Sequence, residues 1–130
     1  DPDTWRPYCH VNDFATVLFK LLNLDDDTVR NQVFNVGSNE NNFTKRQIVE
    51  LISKKIKNKC IIKYIGDGPD KRDYKINFNK INKFIDHKMV SVSDGVDEII
   101  ECINKKKFED AFTNKNKYGN YKINRWDLIT

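Results

Sequence analysis

The stretch Trp5-Arg6-Pro7-Tyr8-Cys9-His10-Val11-Asn12-Asp13 constrains the fold most, because it runs a stiff extended segment directly into a helix start. Pro7 fixes its own φ and pushes Arg6 toward an extended conformation, so the guanidinium is carried by a rigid piece of chain. Asn12 or Asp13 is expected to cap the following helix, since either side chain can accept from an orphan backbone N–H. Phe14, Val17, Leu18, Leu21 and Leu22 then recur at spacings of three and four and predict one apolar stripe. Val33-Phe34-Asn35-Val36 reads as a short strand, closed by a turn at Gly37-Ser38. Strand, helix and strand in that order form a βαβ pattern, which favours a parallel sheet covered on both faces.

Further along, Thr44 and Gln47 have the spacing of a capping box, with Phe43 and Ile48 placed for a hydrophobic staple. Ile48, Leu51, Ile52 and Ile56 continue that helix's buried face. Cys60 to Ile65 is a strand candidate, ended by the turn residues Gly66-Asp67-Gly68-Pro69-Asp70. From Asp73 to Phe78 charged and apolar residues alternate, as in an extended segment with one buried face. Asn79 to Phe84 suggests a short helix. Ser91 with Asp94 marks another helix start, continued by Val96, Ile99, Ile100 and Ile103. After Phe108 the chain is rich in Asn and Lys and reads as a tail.

Size and charge exclude several classes. The 130 residues suffice for one modest domain with a core. Charged residues make up 32%, yet the apolar periodicity argues for a globular chain rather than a disordered one. The net charge of +4 is spread among interspersed acids without aromatic–basic motifs, so no nucleic-acid partner is expected. No apolar run approaches a membrane span, since Ala15 to Phe19 is stopped by Lys20. The three cysteines, Cys9, Cys60 and Cys102, have neither metal-ligand nor disulfide-framework spacing, which points to a reducing, cytoplasmic setting. The only methionine is Met89, so the chain reads as a fragment or a processed piece.

His10 and His87 lack ligand-spaced partners, and no glycine-rich phosphate loop is present. Two arginines stand out. Arg6 precedes Pro7, and Arg72 follows the Gly-Asp-Gly-Pro turn. A guanidinium binds phosphate oxygens bidentately, so arginines on rigid segments suit a diphosphate as well as an ordinary surface ion pair.

Trp5 to Asp13, Phe34-Asn35-Val36-Gly37-Ser38, Asn42-Phe43-Thr44 and Gly68-Pro69-Asp70-Lys71-Arg72-Asp73-Tyr74, with Phe78 and Lys80, together resemble the C-terminal part of the NAD-dependent epimerase/dehydratase family. These are extended short-chain dehydrogenase/reductases acting on nucleotide sugars. The resemblance runs in order along nearly the whole chain. It implies an α/β fold: the C-terminal portion of a Rossmann-type enzyme, with one βαβ unit of the nucleotide-binding sheet at 1–38, a substrate-binding lobe at 39–110 and a tail at 111–130. It further implies that Arg6 and Arg72 contact the diphosphate of a nucleotide-diphosphate sugar, with Asn42 as a further phosphate ligand.

The family's dinucleotide fingerprint and its Tyr-x-x-x-Lys pair have no counterpart here. NAD or NADP would therefore serve a full-length parent and not be bound by this piece alone, which is expected to be inactive without the N-terminal Rossmann part. The parent could form a homodimer. A helix belonging to an absent sheet would leave Phe14, Val17, Leu18 and Leu21 exposed. The alternative class is a standalone, non-catalytic binding or assembly module. The Asn42-Phe43-Thr44 sequon is read as a chance match in a cytoplasmic enzyme.

Overall fold

The structure is a computed structural model that describes residues 1–56, 60–64, 72–111 and 113–118. The fold is mixed α/β. The described elements run β1 (Trp5–Pro7), α1 (Val11–Leu22), α2 (Asp26–Val29), a 3-10 turn (Asn39–Asn41), β2 (Asn42–Thr44), α3 (Lys45–Lys55), a second 3-10 turn (Ile81–Lys83), α4 (Val92–Asn104) and α5 (Lys115–Tyr118). The chain divides into two compact units, Asp1–Asp97 and Glu98–Thr130. Among the described residues no helix is long and apolar enough to cross a membrane.

β1 lies in a two-stranded sheet. Its partner is β2, antiparallel, with Trp5 opposite Thr44, Arg6 opposite Phe43 and Pro7 opposite Asn42. The run 33–36, expected as the second strand of a parallel pair, is not a strand, and among the described residues no strand lies beside it. Phe34 and Val36 pack on the core, and Val33 is 82% exposed. The alternation of a strand is present, but a strand also needs a hydrogen-bonded neighbour. The described part of the expected strand at Cys60–Ile65, residues 60–64, is likewise irregular, and the expected turn at Gly66–Asp70 lies outside the described residues. The helix expected over Asn79–Phe84 contracts to the 3-10 turn Ile81–Lys83.

Local helix signals fare differently. Thr44 Oγ1 accepts from Gln47 N–H at 3.2 Å, and Gln47 Oε1 accepts from Thr44 N–H at 2.8 Å, completing the capping box of α3. Ser91 Oγ accepts from Asp94 N–H at 3.0 Å at the start of α4. The α1 cap is neither Asn12 nor Asp13 but extended His10, whose Nδ1 accepts from Asn12 N–H at 3.2 Å. Asp13 is thereby left inside the first turn and turned inward.

The single stripe expected on α1 splits into two faces. Val17 is fully buried and Leu21 packs beside it, on the side that also carries Asp13. About 100° further round the helix, Val11, Phe14, Leu18 and Leu22 are exposed, Val11 at 73% and Leu22 at 76%. The core of the first unit is small: Val17, Phe78, Ile81 and Ile85, ringed by partly buried residues that include Phe34, Phe84 and Met89. Phe34 meets Phe84 edge to face at 5.3 Å between centroids.

Gly37 is placed by its neighbour. It has φ +153°, and a Cβ there would stand 2.7 Å from the Phe78 ring. Gly37→Ala is therefore expected to cost about 2 kcal/mol, from the unfavourable backbone and the displaced ring together. Urea unfolding measures this, and a change below about 0.5 kcal/mol would contradict the contact.

In the second unit, Phe108 and Tyr118 meet edge to face at 5.7 Å, and Asp110 accepts from both Tyr118 Oη and Lys117 Nζ. Tyr121 and Trp126 of the tail lie outside the described residues.

Candidate functional site

Arg6 is central in β1, and its Nη1 donates to the Trp5 carbonyl at 2.6 Å. Its guanidinium lies 5.4 Å from the centroid of Tyr74. On the antiparallel ladder the backbone groups of alternate residues face alternate edges, and those of Trp5 face away from β2. Trp5 N–H donates to Asp73 Oδ1 at 2.7 Å, and the Trp5 carbonyl receives a long bond from Tyr74 N–H at 3.5 Å. Lys75 Nζ sits 3.5 Å from the centroid of the Trp5 indole. The segment carrying Arg72 is thus laid along the open edge of the strand carrying Arg6. Arg72 is exposed, one residue before the anchored Asp73.

Asn42 lies on the neighbouring strand β2. Its Nδ2 donates to the Ile76 carbonyl and the Asn39 carbonyl, each at 3.0 Å, and its Oδ1 accepts from Ile76 N–H at 2.9 Å. Both of its N–H bonds are directed to backbone carbonyls of this chain. The same engagement, with Thr44 buried as the α3 cap, removes the sequon's side chains from a modifying enzyme in the folded state.

Arg46, at the start of α3, holds Asp3 with two parallel bonds of 2.8 and 2.9 Å. The Arg46 hydrogen bond keeps the Asp3 carboxyl below the usual range, and Asp3 in turn raises the Arg46 pKa. Arg46 is thereby committed to an exposed ion pair. Next to β1, a cleft of about 210 Å³ is lined by Pro7, Tyr8, Cys9, Phe34, Asn35, Val36, Ile76 and Phe78. Although Cys9 is exposed overall, desolvation at its sulfur and then the Asp13 charge push its thiol pKa up. A larger cleft of about 620 Å³ lies around Gly37, Ser38, Asn41, His87 and Met89. Neither Arg6 nor Arg72 lines either of these two clefts.

No family model matches the chain, and no solved structure matches it.

Three polar residues that organise this unit carry no local sequence signal. Asp13 Oδ1 lies 2.8 Å from His87 Nε2, and its Oδ2 accepts from Val90 N–H at 2.7 Å. Asn41, 5% exposed, donates to the Val90 carbonyl at 2.9 Å and accepts from Val92 N–H at 3.2 Å. Asp73 anchors Trp5 as above. Their partners stand 49 to 77 residues away, beyond any spacing rule. Among the described residues no group of three His, Cys, Asp or Glu is arranged to hold a metal ion.

Proposed function

We propose that this chain is the nucleotide-sugar-binding C-terminal part of an NAD-dependent epimerase or dehydratase, with Arg6 and Arg72 gripping the substrate diphosphate. The observation that carries this reading is the pairing of two arginine segments far apart in sequence: Asp73 is bonded to Trp5, so the residue after Arg72 touches the residue before Arg6. Guanidiniums on adjoining segments can share the oxygens of a diphosphate once Arg6 exchanges its bond to the Trp5 carbonyl for one to phosphate. Remote binding energy of this kind positions the sugar for chemistry carried out by other residues.

The exposed apolar face of α1 and the unpaired extended run 33–36 support the second half of the reading. A helix with a bare apolar face beside an unpaired extended segment is what a βα unit shows when the rest of its sheet belongs to another piece of protein. Among the described residues, Gly37 and Ser38 do not fit the pyrophosphate of NAD. The turn at Gly37-Ser38 leads into a three-residue 3-10 turn and then β2, not into a phosphate-binding helix start. No step involving the cofactor is assigned to them.

Titration of the full-length protein with UDP, dTDP, GDP and CDP tests the clamp. Arg6→Ala and Arg72→Ala are each expected to weaken the best-bound nucleotide about 10- to 100-fold, the loss of a charge-assisted contact. Affinity unchanged in both variants removes the diphosphate assignment.

A further inference from the structure

The segment bearing Arg72 runs beside β1, yet among the described residues no third strand holds it. Its Arg72 end has one long backbone bond, Tyr74 N–H to the Trp5 carbonyl at 3.5 Å. Side chains supply the rest. Asn42 offers Ile76 a donor and an acceptor together, at 3.0 and 2.9 Å, as the peptide group of a neighbouring strand would. Two residues on, Asn39 Oδ1 repeats the arrangement by accepting from Phe78 N–H at 3.0 Å. Ile76 and Phe78 are one pleat period apart, so the two amides form a substitute strand edge. Asp73 closes the other end on Trp5 N–H.

We infer that Asn42 is a positioning residue: it sets where Arg72 stands relative to Arg6 by holding Ile76, and does not itself touch the ligand. This rests on the diphosphate reading above and replaces direct phosphate contact as the role of Asn42. Both of its amide N–H bonds are donated to backbone carbonyls, so binding a phosphate would require breaking a bond to Ile76 or Asn39. Truncating Asn42 leaves the Ile76 N–H and carbonyl without this partner, four residues from Arg72 along an extended chain.

The test is a double-mutant cycle on the full-length protein, with UDP, dTDP, GDP and CDP as probes and hydrogen exchange at the Ile76 amide as the second readout. Asn42→Ala is expected to speed exchange at Ile76 at least about tenfold and to weaken the best-bound probe about tenfold. In the Arg72→Ala background the same change should weaken binding by less than about twofold, because the group it positions is gone. If Asn42→Ala does not fold, Asn42→Asp enters the same cycle; it keeps the acceptor for Ile76 N–H and loses both donors. A loss that adds fully to that of Arg72→Ala would mean direct ligand contact and overturn the proposal. So would unchanged affinity in the Asn42 variant while Arg72→Ala still weakens binding. Unchanged affinity in Arg72→Ala itself would sink the positioning role together with Arg72's part in the diphosphate reading, and is distinguishable from those two results.

Discussion

Asp13→Ala is expected to lower the unfolding free energy by about 3 kcal/mol, close to half the stability of a marginal domain. Asp13 is 3% exposed and sits in the first turn of α1, where it serves two partners at once. One oxygen lies 2.8 Å from His87 Nε2 and the other 2.7 Å from Val90 N–H. Alanine would leave the Val90 donor unpaired in a half-buried place and open a void beside Val17. It would also loosen the segment 87–90 from α1, whose Lys20 Nζ donates to the carbonyl of the neighbouring Asp86 at 2.6 Å. Asp13→Asn keeps an acceptor for Val90 and should cost only about 1 kcal/mol. Urea unfolding of the two variants gives both numbers. Equal losses would mean that the carboxylate charge, which both variants lack, and not shape or the hydrogen bond from Val90 is what Asp13 supplies.

Phe78→Ala should be at least as severe, about 3 to 5 kcal/mol. Phe78 is 2% exposed and is the largest of the four buried hydrophobic core residues among those described. Its ring packs on Gly37, so the cavity left by truncation borders a backbone that has no side chain to fill it. Its N–H is held by Asn39, which limits how far the segment can collapse inward. The midpoint of urea unfolding should therefore fall sharply. A loss below about 1.5 kcal/mol would show that the surrounding residues repack and that this small core is more plastic than its geometry implies.

How legible this chain is depends on the reach of each interaction. The capping box of Thr44 and Gln47 and the Ser91 start of α4 can be read directly, because each joins residues three apart. The turn at Gly37 is readable too, though not its cause, the Phe78 ring. Arg6 and Arg72 can be singled out from Pro7 and the glycine-rich turn, but their shared edge cannot, since it depends on Asp73 reaching Trp5 across 68 positions. The cap of α1 is misread because three residues within four positions, His10, Asn12 and Asp13, can all cap. Which of them does so follows from Asp13 being drawn inward to Val90.

The strand assignments show the limit. Val33–Val36 has the composition of a strand and remains unpaired, whereas Asn42–Thr44, a polar and unpromising triplet, pairs with β1. Residue preference for extended backbone is weak, and a three-residue ladder is decided by what lies alongside it. The two faces of α1 follow the same logic: a period of three and four identifies the apolar residues but not which of them meet a core.

The sequence alone determined where α3 and α4 start and where the backbone turns at Gly37, because those properties reside in residues within one helical turn of each other. Only the tertiary structure decided which extended runs pair, which face of α1 is covered, and that Asn42 serves Ile76 rather than standing open. Each of these is settled by groups more than 30 residues apart competing for the same donors and the same small core.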